Sequence, residues 1–146
     1  MRTVRDEDGT RLLLVKQSDE SSRVRDPETG AERYVENERL TDLQEESPLS
    51  TAALGVPKSV RDVVSAAHDE QSLGLLVELV DDGPLPVVEL LDAYELCESD
   101  LHGLLAEFRA AGLIDEADVA GRRGYEATET TKQAVEILRT ETAEDA

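Results

Sequence analysis

The sequence predicts an α+β protein in which an N-terminal antiparallel β-meander precedes a helical domain. Apolar residues recur at a period close to two through residues 2–35 and at a period of 3.6 from Lys58 onward. Between these regions the chain loses its periodicity and holds Pro48 and Pro57, which is typical of a linker. The predicted organisation is a β-meander over 1–40, a linker over 41–57, a helical domain over 58–141 and a disordered acidic tail over 142–146.

The charge balance of the chain is strongly acidic. Its 146 residues include 34 Asp and Glu against 15 Lys and Arg, a net charge of −19, while 39% hydrophobic residues leave enough apolar side chain for a core. Twelve of the basic residues are Arg, and the profile resembles proteins of salt-accumulating archaea. Molar salt shortens the Debye length to about 3 Å, which suppresses repulsion between such carboxylates. We therefore expect a halophilic protein.

Several classes of protein are excluded by what the sequence lacks. Its N-terminus has no apolar signal region, and its apolar runs are far shorter than about 18 residues, so we expect a cytoplasmic protein without membrane contact. Cys97 is the only cysteine, and with His68 and His102 it cannot complete a four-ligand zinc site. We expect Cys97 to be a small buried residue between helices. No phosphate-cradling loop or nucleophile motif is present, so we expect no enzymatic activity, no metal and no cofactor.

The predicted meander consists of short strands separated by turns. Each break carries Gly, Pro, Ser or Asp, the residues that accept turn geometry. The predicted strands cover 3–5, 11–17, 23–26 and 32–35. Their cations could form a second phosphate-facing surface, dock onto the more acidic helical domain, or be solvated.

The helical domain has a clear order of elements. Apolar stripes predict helices over 69–82, 86–95, 99–111 and 129–140, with Asp69 capping the first and Gly112 ending the third. Tyr94 falls on the apolar stripe of the second helix and is expected in the core. Between the last two helices, the pattern predicts two strands joined by a turn at 121–124.

This order resembles a winged helix-turn-helix domain. The run LAEFRAAGLI at 105–114, followed by GRRGYEAT at 121–128, resembles archaeal and bacterial regulators of the arsenic-repressor and multiple-antibiotic-repressor type. The whole chain, including VRDPETG at 24–30, resembles a family of haloarchaeal winged-helix proteins with no assigned activity. The resemblance implies a transcriptional regulator that binds double-stranded DNA as a homodimer.

In such a fold, helix 99–111 would enter the major groove and the hairpin, or wing, would reach the adjacent minor groove. The candidate DNA-binding residues are Ser99, His102, Arg109, Arg122 and Arg123. The two adjacent arginines lie between glycines in the predicted wing turn, where they could enter a narrow groove or simply be solvated.

Glu98 and Asp100 stand where DNA contacts are expected, and two carboxylates there would repel phosphates. An alternative is therefore a winged-helix adaptor that binds no DNA and uses this acidic face to bind a protein partner.

Overall fold

The α+β class predicted from the sequence is confirmed, with an antiparallel sheet in one unit and mostly helices in the other. The computed structural model describes residues 1–145, with side chains as far as Thr140. The tail predicted over 142–146 lies outside the fully described residues. The chain divides into two units between Pro57 and Lys58, and we call residues 1–57 unit 1 and the remainder unit 2.

Unit 1 is built on a five-stranded antiparallel sheet in the order β4-β3-β2-β1-β5. Its first four strands follow one another as a meander, as the turn residues predicted. After a 3-10 turn, the fifth strand returns to pair with the first, so that Val4 lies opposite Asp42. The strands are β1 Arg2–Arg5, β2 Arg11–Gln17, β3 Ser21–Arg25, β4 Glu32–Glu36 and β5 Thr41–Asp42.

Residues 41–57 are part of unit 1 rather than a linker. They contain β5 and helix α1, Pro48–Ala52, whose first turn is capped by the Ser47 hydroxyl. Helix α1 packs on β1 and β2, where the Thr51 and Thr3 hydroxyls form a buried hydrogen bond of 2.7 Å. Strand pairing and side-chain hydrogen bonds hold this segment, which explains why it shows no apolar periodicity.

The two faces of the unit 1 sheet are buried differently. The apolar cluster lies on one face, with Leu40 packed against it, and consists of Val4, Leu12, Leu14, Val24 and Val35. Strand alternation places Leu13 on the opposite face beside Thr3, where it is also buried. The run Leu12–Leu14 is therefore apolar throughout because both faces of β2 are covered.

Over residues 58–145, unit 2 contains five helices and a three-stranded sheet in the order β6-β8-β7. The short strand β6 follows the second helix of the unit and pairs with β8. Its elements are α2 Lys58–Ala66, α3 Glu70–Asp82, β6 Leu85–Pro86, α4 Val87–Tyr94, α5 Glu98–Ala110, β7 Ile114–Val119, β8 Arg122–Ala127 and α6 Glu129–Asp145.

The start of α3 and the end of α5 lie at the capping residues that the sequence predicts. The Asp69 carboxylate caps α3 by accepting a hydrogen bond from the Ser72 backbone N–H at 2.7 Å, as predicted. Gly112, at φ +75°, ends α5, and the next N–H, of Leu113, donates to the Phe108 carbonyl at 2.9 Å. A left-handed residue is required at this helix end, and glycine adopts that conformation without strain.

The core of unit 2 is formed mainly by α3, α5, Leu113 and Ile114, the first residue of β7. Leu101, Leu105 and Phe108 are fully buried, as the stripe on α5 predicted. Tyr94, which the sequence places on the apolar stripe of its helix, is not in the core and is 40% exposed. Tyr94 is the last residue of α4, where the chain turns away at Glu95. Periodicity identifies the face of a helix but not how far its neighbours extend over it.

Among residues 1–145, no helix combines the length and apolar character needed to cross a membrane.

Candidate nucleic-acid interface

The N-terminal turn of α5 carries two of the five candidate DNA-binding residues. Ser99 and His102 are both exposed there, beside exposed Glu98 and Asp100. The His102 Nε2 atom lies 3.7 Å from the Glu98 Oε1 atom, one helical turn away. This end of the helix therefore presents mainly carboxylates to solvent.

Cys97 immediately precedes this turn and is exposed, so the expectation that it is buried between helices is wrong. It occupies the N-cap position of α5, and its Sγ atom lies 3.2 Å from the Ser99 Oγ atom. Hydrogen bonding from the Ser99 hydroxyl, and then from the backbone N–H groups of Asp100 and Ser99, lowers the pKa of the Cys97 thiol. These donors stabilise the thiolate at a helix N-terminus.

The turn of the β7–β8 hairpin lies at Ala120 and Gly121, not at 121–124 as predicted. Both residues have positive φ, +53° and +82°, and the flanking Val119 and Arg122 lie directly opposite each other. The Asp118 carboxylate closes the turn by accepting the Gly121 N–H at 2.7 Å. A two-residue turn with positive φ at both positions matches the twist of a hairpin, which explains its place.

This register separates the two wing arginines. Arg122 and Arg123 are the first residues of β8, and successive side chains of a strand point to opposite faces. The Arg122 guanidinium lies 3.4 Å from Glu89 on α4, whereas that of Arg123 lies 3.1 Å from Glu116 on β7. The structure therefore does not bring these arginines together as a pair at the wing turn.

Arg123 instead meets Arg109, the candidate residue near the end of α5. The Oε1 atom of Glu116 accepts hydrogen bonds from Arg109 at 2.9 Å and from Arg123 at 3.1 Å. Arg123 also donates to the Tyr125 hydroxyl at 3.1 Å, and this contact, together with Glu116, raises the pKa of Arg123. We call Arg109, Glu116, Arg123 and Tyr125 the wing cluster.

The candidate residues thus fall into three places. Arg109 and Arg123 belong to the wing cluster, and Arg122 lies on the other face of the hairpin. The third place is the start of α5, which carries Ser99 and His102. Ser99 is ten residues before Arg109, a distance of about 15 Å along the helix axis.

The sequence does not reveal the acidic partners Glu89 and Glu116. Glu116 meets Arg123 only in the register set by the turn at Ala120 and Gly121, and Glu89 meets Arg122 only through the packing of α4 beside the hairpin.

Most cations of unit 1 are also paired within that unit. Arg2 lies 2.6 Å from Asp42, and Arg23 lies 2.7 Å from Glu32. Three further pairs join Arg11 to Glu46, Arg33 to Asp6 and Arg39 to Glu36. The cations of the sheet therefore do not form an uncompensated basic surface.

The described residues contain no group of three His, Cys, Asp or Glu side chains that could hold a metal ion. Residues 1–139 match a family of unknown function, DUF7346. The chain belongs to this family. The DUF7346 match spans unit 1 and extends in unit 2 to Arg139, whose guanidinium binds both carboxylate oxygens of Asp81 at 2.8–2.9 Å. No curated protein and no solved structure matches the chain significantly.

Proposed function

We propose that unit 2 is a winged helix-turn-helix domain and that the protein regulates transcription in a halophilic archaeon by binding double-stranded DNA. The order of its elements supports this proposal. Helix α3 is followed by β6, α4 and α5, and then by the β7–β8 hairpin, whose second strand pairs with β6. This order is the one expected of a winged helix, with α5 as the recognition helix and the hairpin as the wing.

The wing cluster is the observation that carries the DNA-binding proposal. Its two guanidiniums come from α5 and from the wing, the two elements that contact DNA in this fold, and they converge on one carboxylate oxygen. Two guanidiniums arranged around one anion can exchange that anion for a DNA phosphate. Phosphate contacts of this kind set the position of a protein on the duplex rather than its sequence preference.

The ion pairs of the wing cluster are weak enough to be exchanged. The side chains of Arg109, Arg123 and Glu116 are 55%, 65% and 46% exposed. Exposed ion pairs contribute little to stability, and molar salt weakens them further. The same screening acts on the repulsion between DNA phosphates and the acidic start of α5. At molar salt the range of this repulsion is about 3 Å.

The proposed regulator acts as a homodimer. Helices α2 and α6 pack against each other, and exposed apolar side chains lie on both. They are Val64 on α2 and Ile137 and Leu138 on α6, which are 63%, 45% and 45% exposed. A second copy that packs against this face would remove these side chains from water.

The test is a DNA titration of the Arg109→Ala/Arg123→Ala variant by fluorescence polarisation between roughly 0.3 and 2 M KCl, a range over which the Debye length shortens about two- to threefold. We expect the variant to bind DNA roughly tenfold more weakly than the wild type. The slope of log K against log salt should also be smaller in magnitude by about 2, because two phosphate contacts are lost. The control, Lys58→Ala/Lys132→Ala, removes the same charge from α2 and α6. Equal affinities and slopes for the two variants would contradict a role of the wing cluster in DNA binding.

A second candidate function is a protein-interaction adaptor, favoured by the exposed carboxylates at the start of α5. Glu98 and Asp100 lie in its first turn, and Arg109, at its other end, is already paired with Glu116. In this alternative, the acidic turn would bind a basic surface of a protein partner.

A further inference from the structure

A cavity of about 180 Å³ opens between α3 and the turn that joins α4 to α5. It lies away from the wing cluster, on elements that carry none of its residues. Its lining consists of Gln71, Gly74, Leu75, Glu78, Tyr94 and Leu96.

The cavity exists because a small residue on α3 faces a bent segment of chain. A Cβ atom at Gly74 would meet no other atom within 4 Å, so the helix surface is open at this point. Across from it, Glu95 adopts a left-handed conformation with φ +50°, which a non-glycine residue rarely does. This bend lies between Tyr94 and Leu96, both of which line the cavity.

Among the residues that line the cavity, Glu78 is the one that carries a charge. Burial raises the pKa of Tyr94, and the negative charges of Glu78 and then of Asp82 raise it further. Within residues 1–140, neither Glu78 nor Asp82 forms an ion pair. The cavity thus combines apolar walls, an aromatic ring and a carboxylate that forms no ion pair with residues 1–140.

We propose that this cavity binds a small organic cation with an apolar body, its ammonium group at Glu78 and its hydrocarbon part between Tyr94 and Leu96. A cation is attracted both by a carboxylate and by the face of an aromatic ring. The volume suits one ring, since an apolar cavity of about 150 Å³ accommodates benzene. A neutral ligand would leave Glu78 partly desolvated and unpaired, and an anion would be repelled.

The test uses benzylammonium as the probe and follows its binding to the full-length protein by NMR chemical-shift titration in 1 M KCl. Benzyl alcohol and benzoate are the neutral and anionic probes of the same shape. We expect benzylammonium to bind with a Kd of the order of 1 mM, the range of one-ring ligands, and the other two probes at least tenfold more weakly. Equal binding of benzylammonium and benzyl alcohol, or no binding of benzylammonium, would overturn the proposal.

Two variants locate the site. Gly74→Leu places a side chain in the open space and is expected to abolish binding, whereas Gly103→Leu, at a helical glycine that is equally open but lies on α5, is expected to retain it. Glu78→Gln should weaken binding of benzylammonium about tenfold and leave that of benzyl alcohol unchanged, while Glu136→Gln on α6 should change neither. Circular dichroism verifies that each variant is folded.

The cavity could instead be covered by a second copy of the chain. Sedimentation of the wild type and of Gly74→Leu distinguishes this case. If the wild type is a dimer and Gly74→Leu is a monomer that still binds benzylammonium, the cavity belongs to the dimer interface and the proposal is overturned. An unchanged oligomeric state together with lost binding of benzylammonium is the expected result.

Discussion

Arg109 at the end of α5 and Arg123 on β8 are held by the same atom, the Oε1 of Glu116, at 2.9 and 3.1 Å. A single carboxylate therefore links the proposed recognition helix to the proposed wing. Because the link is an exposed ion pair, it orients the two guanidiniums without holding them strongly.

The first prediction concerns Glu116 itself. Glu116→Gln removes the carboxylate that neutralises two arginines, so we expect roughly threefold tighter binding of DNA of any sequence and a steeper salt dependence. Fluorescence polarisation against a mixed-sequence duplex measures both. Glu126→Gln removes one exposed charge from the other strand of the same hairpin, β8, and serves as the control. If Glu116→Gln binds DNA no better than Glu126→Gln, its two partners do not contact phosphates.

The second prediction distinguishes the two proposed functions. For a DNA-binding regulator, Glu98→Gln/Asp100→Asn should tighten non-specific DNA binding because two repulsive charges are removed from the start of α5. For an adaptor, the same variant should show no DNA binding and should recover less of a protein partner in a pull-down from high-salt lysate. Wild-type protein that recovers genomic DNA and no stoichiometric protein supports the regulator, and the opposite result supports the adaptor.

The third prediction follows from the lowered pKa of Cys97. Because only the thiolate is alkylated, a lowered pKa means faster alkylation near neutral pH than for an ordinary cysteine, whose pKa is about 8.5. Ser99→Ala removes the donor that lowers the thiol pKa most, so the pH at which the alkylation rate is half-maximal should rise. Iodoacetamide labelling followed by mass spectrometry between pH 6 and about 10, which spans the ordinary thiol pKa, gives this profile. An identical midpoint in Ser99→Ala would show that the hydroxyl does not stabilise the thiolate.

The fourth prediction concerns the dependence of folding on salt. With a net charge of −19, the chain repels itself whenever screening is weak. The Debye length grows from about 3 Å at 1 M salt to about 30 Å at 0.01 M, so we expect loss of helical circular dichroism on dialysis to low salt. A spectrum that stays unchanged down to that concentration would contradict the halophilic interpretation of the composition.

Features that depend on neighbouring residues were predictable from the sequence. The four strands of the meander, the Asp69 cap, the glycine end of α5 and the buried stripe through Leu101, Leu105 and Phe108 all follow from side-chain period and local hydrogen bonding. These rules act within a few residues, so one sequence contains all the information they require.

Features that depend on distant parts of the chain were decided by the tertiary structure. Two-residue β5 is too short to carry a pattern and is recognised only because it pairs with β1. The alternating burial that would set the register of β7 and β8 is weak, because neighbouring Asp115 and Glu116 are both exposed on β7 and neighbouring Gly124 and Tyr125 are both buried on β8.

The position of the hairpin turn had the largest consequence for the candidate interface. Placing the turn at Ala120 and Gly121 separates Arg122 from Arg123 and brings Arg123 to Glu116 and Arg109. A change of one residue in strand register moves every side chain to the opposite face of the sheet. The sequence by itself therefore determined which residues carry charge and which segments form helices and strands, and the tertiary structure alone decided which of those charges meet.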